Sequence, residues 1–146
     1  MISALKGRTL VTAESCTGGG IGAALTSVPG SSAVFKGGII SYTNWVKTHM
    51  LSVDASLLEQ VGAVSAPVAL AMAVGARKKL EADIAISVTG LAGPDGDDYG
   101  NPVGTVYIGY ADKNKEKVFH FRFDGDREKV RNDAIEAALT IILNEI

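Results

Sequence analysis

TAESCTGGG, residues 12–20, joins a short β-branched and apolar run, Thr9–Ala13, to Ile21–Thr26, a stretch that reads as a helix. A strand running through a glycine-rich turn into a helix is the opening unit of an α/β domain. The same nonapeptide lines up three nucleophiles, Ser15, Cys16 and Thr17, ahead of the glycines. On side-chain chemistry alone the choice among them stays open, because each needs a base to take its proton.

The pattern outward from this turn repeats the alternation. Pro29–Gly30 stops the first helix, and Phe35–Tyr42 reads as a second strand that Gly37 and Gly38 allow to bend or bulge. Thr43–Asn44 is a helix start, and Val53–Asp54 punctuates the segment beyond it. Ser65 is placed to cap a helix that tolerates Pro67 in its first turn, with Ala69, Met72, Ala76 and Leu80 as its apolar stripe. Ile84–Thr89 carries no charge, which suits a buried parallel strand, and Leu91–Pro102 is a loop. Gly104–Ala111 and Lys117–Phe123 form a hairpin across Asp112–Lys115, with Phe119, Phe121 and Phe123 on one face and Val118, His120 and Arg122 on the other. Asp126 caps a last helix whose inner side carries Val130, Ala134, Ala137 and Ile141. The expected architecture is a three-layer α/β/α sandwich with a mixed, mostly parallel sheet, formed by residues 1–146 as one domain.

Bulk properties narrow the function. At 146 residues and 47% hydrophobic, the chain can bury roughly 70% of the surface exposed when unfolded. A net charge of −2 without a basic cluster argues against nucleic acid as a partner. One cysteine excludes an intramolecular disulfide framework and a cysteine-rich zinc site. No apolar run suits a membrane span and MISALKGRTL lacks a signal-peptide core, so a cytoplasmic location is expected.

Several motifs fail on inspection. Gly18, Gly20 and Ala23 fit the dinucleotide-binding glycine pattern, yet IISYTN (residues 39–44) lacks the acidic residue expected after the next strand. No Gly-Lys-Ser/Thr triplet opens a helix. What remains is a turn whose backbone N–H groups can approach a ligand, or glycines serving close packing only. Asp95, Asp97 and Asp98 resemble half a calcium loop, but its twelfth position is Val106 instead of glutamate. His49 and His120 have no ligand-like neighbours.

Lys47 breaks a local rule. With Asn44 as cap it lies at the third helical position, where the macrodipole opposes an ammonium. The same field, with partial burial beside Tyr42 and Trp45, lowers a lysine pKa. An unperturbed lysine is neutral in about one molecule in 2,500 at pH 7, and a fall of about three pH units makes it a competent base. The bland alternative is an exposed lysine on a short helix.

TAESCTGG, VPGSSAVFKGGIISYTNWVK, GAVSAPVALAMA, SVTGLAGPDG, NPVGTVYIG and GDREKVR, taken in that order, resemble the CinA C-terminal domain family from about Thr9 to Glu145. Enzymatic members of that family are nicotinamide-nucleotide amidases. The resemblance implies hydrolysis of the carboxamide of nicotinamide mononucleotide (NMN) to nicotinate mononucleotide and ammonia, with no cofactor and no metal. It implies a dyad of Ser15 and Lys47, selects Ser15 over Cys16 and Thr17, and brings Tyr42 and Thr89 in as groups orienting Lys47 or the oxyanion. Arg127, with Gly18, Gly19 and Gly90, is implied to bind substrate, Arg127 holding its phosphate.

The backbone N–H groups around Cys16 and Thr17 are the expected oxyanion donors, Cys16 packing behind the turn and Thr17 capping the helix. Two departures stand out. The family's amphipathic helix before the first strand is replaced by MISALKGR, which leaves part of one sheet face for a partner copy and implies a homo-oligomer, most simply a dimer. Trp45 stands where a small or acidic residue is expected, which would narrow the pocket or change substrate preference. The alternative function is a non-catalytic nucleotide-binding module of the same fold, linked to competence or damage response.

Overall fold

Leu10–Glu14 forms β1, and all five of its residues are buried because cover arrives on both faces and on both sides. The computed structural model describes residues 1–146. From β1 the chain passes through the glycine turn into α1 (Gly20–Thr26) and returns as β2 (Phe35–Ile40), parallel to β1. Phe35 pairs with Leu10 and Gly37 with Val11, so Lys36 is the extra residue of the bulge that the glycines made possible. β2 ends at Ile40, two residues before the expected limit, and this releases Ser41 and Tyr42 from the ladder.

Three helices follow on the opposite face: α2 (Asn44–Leu51), α3 (Ala55–Val61) and α4 (Ala66–Lys79). They lead to β3 (Ile84–Gly90), which pairs parallel to β1 on the side away from β2. β4 (Thr105–Ala111) runs antiparallel to β3, β5 (Glu116–Arg122) antiparallel to β4, and α5 (Arg127–Glu145) closes the chain. The order is β2-β1-β3-β4-β5, with only β4 reversed. The α/β sandwich with a mixed sheet is therefore observed.

Alternation along β1 and β3 sorts the two cores. Leu10, Ile84, Ile86 and Val88 pack with Ile21 and Leu25 of α1 and Val130, Ala134 and Ala138 of α5. Val11, Ala13 and Ala85 pack with Leu51, Leu58, Met72 and Ala76 from α2, α3 and α4. Within α5 the inner line is Val130, Ala134, Ala138 and Ile142, at steps of four; Ala137, expected inside, is only half-buried. Phe119, Phe121 and Phe123 do share a face, lining a groove against α5. Residues 1–8 make turns in place of a helix, and Leu5 reaches fully into the α5 core.

The crossover from β1 to β2 packs α1 on one face, and the return from β2 to β3 carries α2, α3 and α4 past β1 on the other. β2 and β3 thus flank β1 on opposite sides. The carboxyl ends of β1 and β3 therefore part at a topological switch point, where α/β sheets bind ligands. No helix is long and apolar enough to cross a membrane.

Candidate active site

Ser15 follows directly on β1, and its N–H bonds the Val88 carbonyl oxygen at 2.9 Å, prolonging the ladder by one residue. Odd positions of β1 face the α2–α4 layer, and Ser15 continues that series. Lys47 approaches from there. Its Nζ lies 3.0 Å from Ser15 Oγ and 2.7 Å from the carbonyl oxygen of Ser41. Lys47 and Leu51, one turn apart, are the buried residues of α2, each about 1% exposed.

A lysine thus occupies an inward position that packing alone would give to an apolar residue. No carboxylate pairs with it. Burial pushes its pKa from 10.5 down to about 8, against a smaller opposing influence of the neighbouring Cys16 thiol. The helix cap is Thr43, whose Oγ1 accepts from Val46 N–H, so Lys47 stands at the fourth helical position instead of the third.

Around this pair lies a cavity of about 300 Å³ walled by Ser15, Cys16, Tyr42, Asn44, Lys47, Ala63, Val64, residues 89–93, Asp95 and Arg127. That volume sits at the lower end for small-molecule sites. Arg127, the first residue of α5, donates to the Gly93 carbonyl oxygen at 2.7 Å and to Tyr42 Oη at 3.2 Å. Tyr42 is 57% exposed and makes no hydrogen bond to Lys47. Thr89 donates to the Ala63 carbonyl oxygen at 2.8 Å, tying down the loop before α4. Of the two roles expected for these hydroxyls, orienting Lys47 or the oxyanion, the first falls to the Ser41 carbonyl, the hydrogen-bond partner of Nζ beside Ser15. A main-chain oxygen leaves no side-chain signature, and the sequence could not have offered it.

The glycine turn is held differently from the expectation. Thr17 is fully buried, and its hydroxyl donates to Glu14 Oε1 instead of capping α1. Glu14 is the cap: its carboxylate accepts from Ile21 N–H at 2.8 Å and Gly22 N–H at 3.0 Å. Gly18 and Gly19 adopt positive φ, +60° and +102°, conformations suited to glycine. Neither they nor Thr17 wall the cavity. Gly90 does, and a side chain there would meet Val106 Cγ2 at 2.7 Å and Thr105 O at 2.9 Å.

Cys16 is buried, and burial pushes its thiol up to about 11, so it is poorly placed to supply a thiolate. The backbone N–H groups of Cys16 and Thr17 have no main-chain acceptor, whereas Gly18 N–H bonds the Ser15 carbonyl oxygen. Arg131 of α5 donates to the carbonyl oxygens of Cys16 (3.0 Å) and Thr17 (3.3 Å).

Trp45 is 63% exposed, stacks on His49 and stays outside the cavity wall. His120 stacks on Tyr107. Asp97 accepts from Tyr99 N–H and from Asn101 N–H and Nδ2, ordering the 91–102 loop.

Comparison with known proteins gives a consistent picture. A family model described as CinA C-terminal domain matches residues 2–146. A CinA-like protein of Citrifermentans bemidjiense is 53% identical over 134 residues, covering 92% of this chain and 32% of the relative. One from Rippkaea orientalis is 50% identical over 137 residues, covering 92% and 33%. The chain spans about a third of the length of these curated relatives. A crystal structure of a competence-damaged protein (CinA) superfamily protein from Escherichia coli superposes with TM-score 0.94 at 36% identity, covering 99% of this chain and 83% of that one. A competence/damage inducible protein CihA from Agrobacterium tumefaciens gives 0.91 at 40% identity, covering 98% and 89%.

Proposed function

The chain belongs to the CinA C-terminal domain family, and from that premise we propose that it is a nicotinamide-nucleotide amidase, hydrolysing the carboxamide of NMN through a Ser15–Lys47 dyad. The observation that carries this reading is the 3.0 Å hydrogen bond between Lys47 Nζ and Ser15 Oγ, made by a buried lysine without a carboxylate partner. With its pKa near 8, about a tenth of the lysine is neutral at pH 7, some two hundred times the unperturbed fraction. A neutral Nζ accepts the Ser15 proton as Oγ attacks the amide carbon.

The oxyanion then formed accepts from the N–H groups of Cys16 and Thr17, which have no main-chain acceptor. Collapse breaks the C–N bond as the Lys47 ammonium protonates the leaving nitrogen, which departs as ammonia. A water molecule next gives its proton to Lys47 and cleaves the acyl ester, releasing the carboxylate and restoring Ser15. Arg127 and Asp95, both on the cavity wall, supply opposite charges. NMN matches them with an anionic phosphate and a cationic pyridinium ring.

Ammonia release from NMN by the purified protein tests this directly. Turnover in the parent, lost at least a thousandfold in Ser15→Ala and in Lys47→Ala, is expected. A Lys47→Ala protein with near-native turnover would refute the dyad. No release from NMN or nicotinamide riboside would leave the non-catalytic nucleotide-binding module as the function.

A further inference from the structure

Arg131 is not on the cavity wall, yet it grips the carbonyl of Cys16, which is, and that of Thr17 behind it. Even positions of β1 face the α1/α5 layer, and Cys16 continues that series into the same core. Arg131 Nε draws the Cys16 carbonyl oxygen towards α5 at 3.0 Å, and Nη2 holds the Thr17 carbonyl oxygen at 3.3 Å. In a trans peptide the N–H of the next residue points opposite to the carbonyl. Thr17 N–H belongs to the peptide of Cys16, a residue that does wall the cavity, and is thereby aimed away from Arg131. It has no main-chain acceptor.

Two glycines at positive φ follow immediately, so the turn has no β-branched backbone restraint of its own beyond Thr17. A guanidinium donating to two successive carbonyls supplies what the glycines lack. We infer that Arg131 is a positioning residue that preorganises the Thr17 N–H as an oxyanion donor by holding the Cys16 and Thr17 carbonyls on the far side of the turn. This rests on the amide-hydrolase reading for its reaction, though the clamp concerns any acyl or phosphonyl group that Ser15 attacks. Arg127 and Arg131, one helical turn apart, divide the labour: the first enters the cavity, the second works from behind its wall.

The experiment pairs NMN kinetics with labelling by an alkyl fluorophosphonate. In that reaction Ser15 Oγ displaces fluoride from phosphorus, and the phosphonyl oxygen occupies the position of the oxyanion. Arg131→Ala is expected to lower kcat and the labelling rate by roughly ten- to hundredfold with KM within about twofold. Arg131→Lys, keeping one donor and the charge, is expected to recover part of the loss. The midpoint of the pH–rate curve should stay where it is in the parent, since the arginine acts on the oxyanion and not on the base.

Parent protein that labels at Ser15 without turning over NMN, and labels more slowly in both variants, would retire the NMN reading and keep the clamp. A folded Arg131→Ala with kcat and labelling within twofold of the parent would overturn it. So would a loss confined to KM, or a displaced pH midpoint. If Arg131→Ala does not fold, the lysine variant decides: an unchanged labelling rate there counts against the clamp, and a slowed one with unchanged midpoint supports it.

Discussion

Lys47 weakens the fold that carries it. Burial holds its pKa near 8 against 10.5 in the open chain, a gap of about 2.5 pH units or about 3 kcal/mol. Below pH 8 both folded and unfolded chains hold the proton, and the folded state bears the full penalty. Between 8 and 10.5 the folded state has released a proton that the unfolded chain retains, so stability rises with pH. Lys47→Met is therefore expected to be more stable than the parent by about 1–3 kcal/mol at pH 7, the advantage shrinking towards pH 10.5. Urea denaturation of both proteins across that range checks it; a pH-independent difference would show that the ammonium is not the source. Catalysis should follow the same titration, kcat/KM rising about fivefold from pH 7 to 8 and levelling above 9. Cys16 gives the contrasting case. With a pKa near 11, only about one thiol in three thousand is ionised at pH 7.5, and iodoacetamide should leave turnover intact over an hour, whereas rapid inactivation would show a thiolate populated well above that fraction.

The elements that were legible from sequence are those whose signals are local. β3 announces itself as an uncharged apolar run, Asp126 caps α5 through Lys129 N–H, and the Asp112–Lys115 turn divides the hairpin. What stayed hidden depends on segments that meet only after folding. The cap of α1 is such a case. Proximity in sequence favoured Thr17, but the strand–turn–helix geometry brings Glu14 over the helix start, where its two oxygens accept from Thr17 Oγ1, Ile21 N–H and Gly22 N–H. The family resemblance selected Ser15 and Lys47, while the Ser41 carbonyl at Lys47 and the contacts of Arg131 with the Cys16 and Thr17 carbonyls exist only in the folded chain. Glu14→Gln removes the charge at the helix start and replaces one acceptor oxygen with a donor, so a loss of about 1–3 kcal/mol is expected. Hydrogen exchange at the Ile21 and Gly22 amides should accelerate with it. Unchanged protection there would mean that the carboxylate does not secure the helix.

The contact between Ser15 and Lys47 exists only because two layers are held at one separation. Ser15 belongs to the sheet, Lys47 to α2, and α2 is seated on α4, whose Gly75 makes room for the end of α2: a methyl group at Gly75 would overlap the Leu51 carbonyl. Helix propensity taken alone says that Gly75→Ala in the middle of α4 should stabilise by about 1 kcal/mol. Packing says the reverse, since a methyl group meeting main chain at an interface without slack costs about 1–3 kcal/mol or forces α2 outward. Leu51 and Lys47 are one turn apart on the buried side of α2, so a displacement at Leu51 is transmitted to Nζ, and a shift of about 1 Å at a reacting group is enough for about a hundredfold loss. Gly75→Ala is accordingly expected to remain folded, to melt lower, and to lose at least tenfold in kcat, although residue 75 lies outside the cavity wall. Thermal denaturation together with steady-state kinetics decides between the two forces. A variant that melts a few degrees higher with full activity would mean that α2 yields without moving its lysine, and the site would then owe its geometry to the Thr43 cap and the Ser41 carbonyl alone.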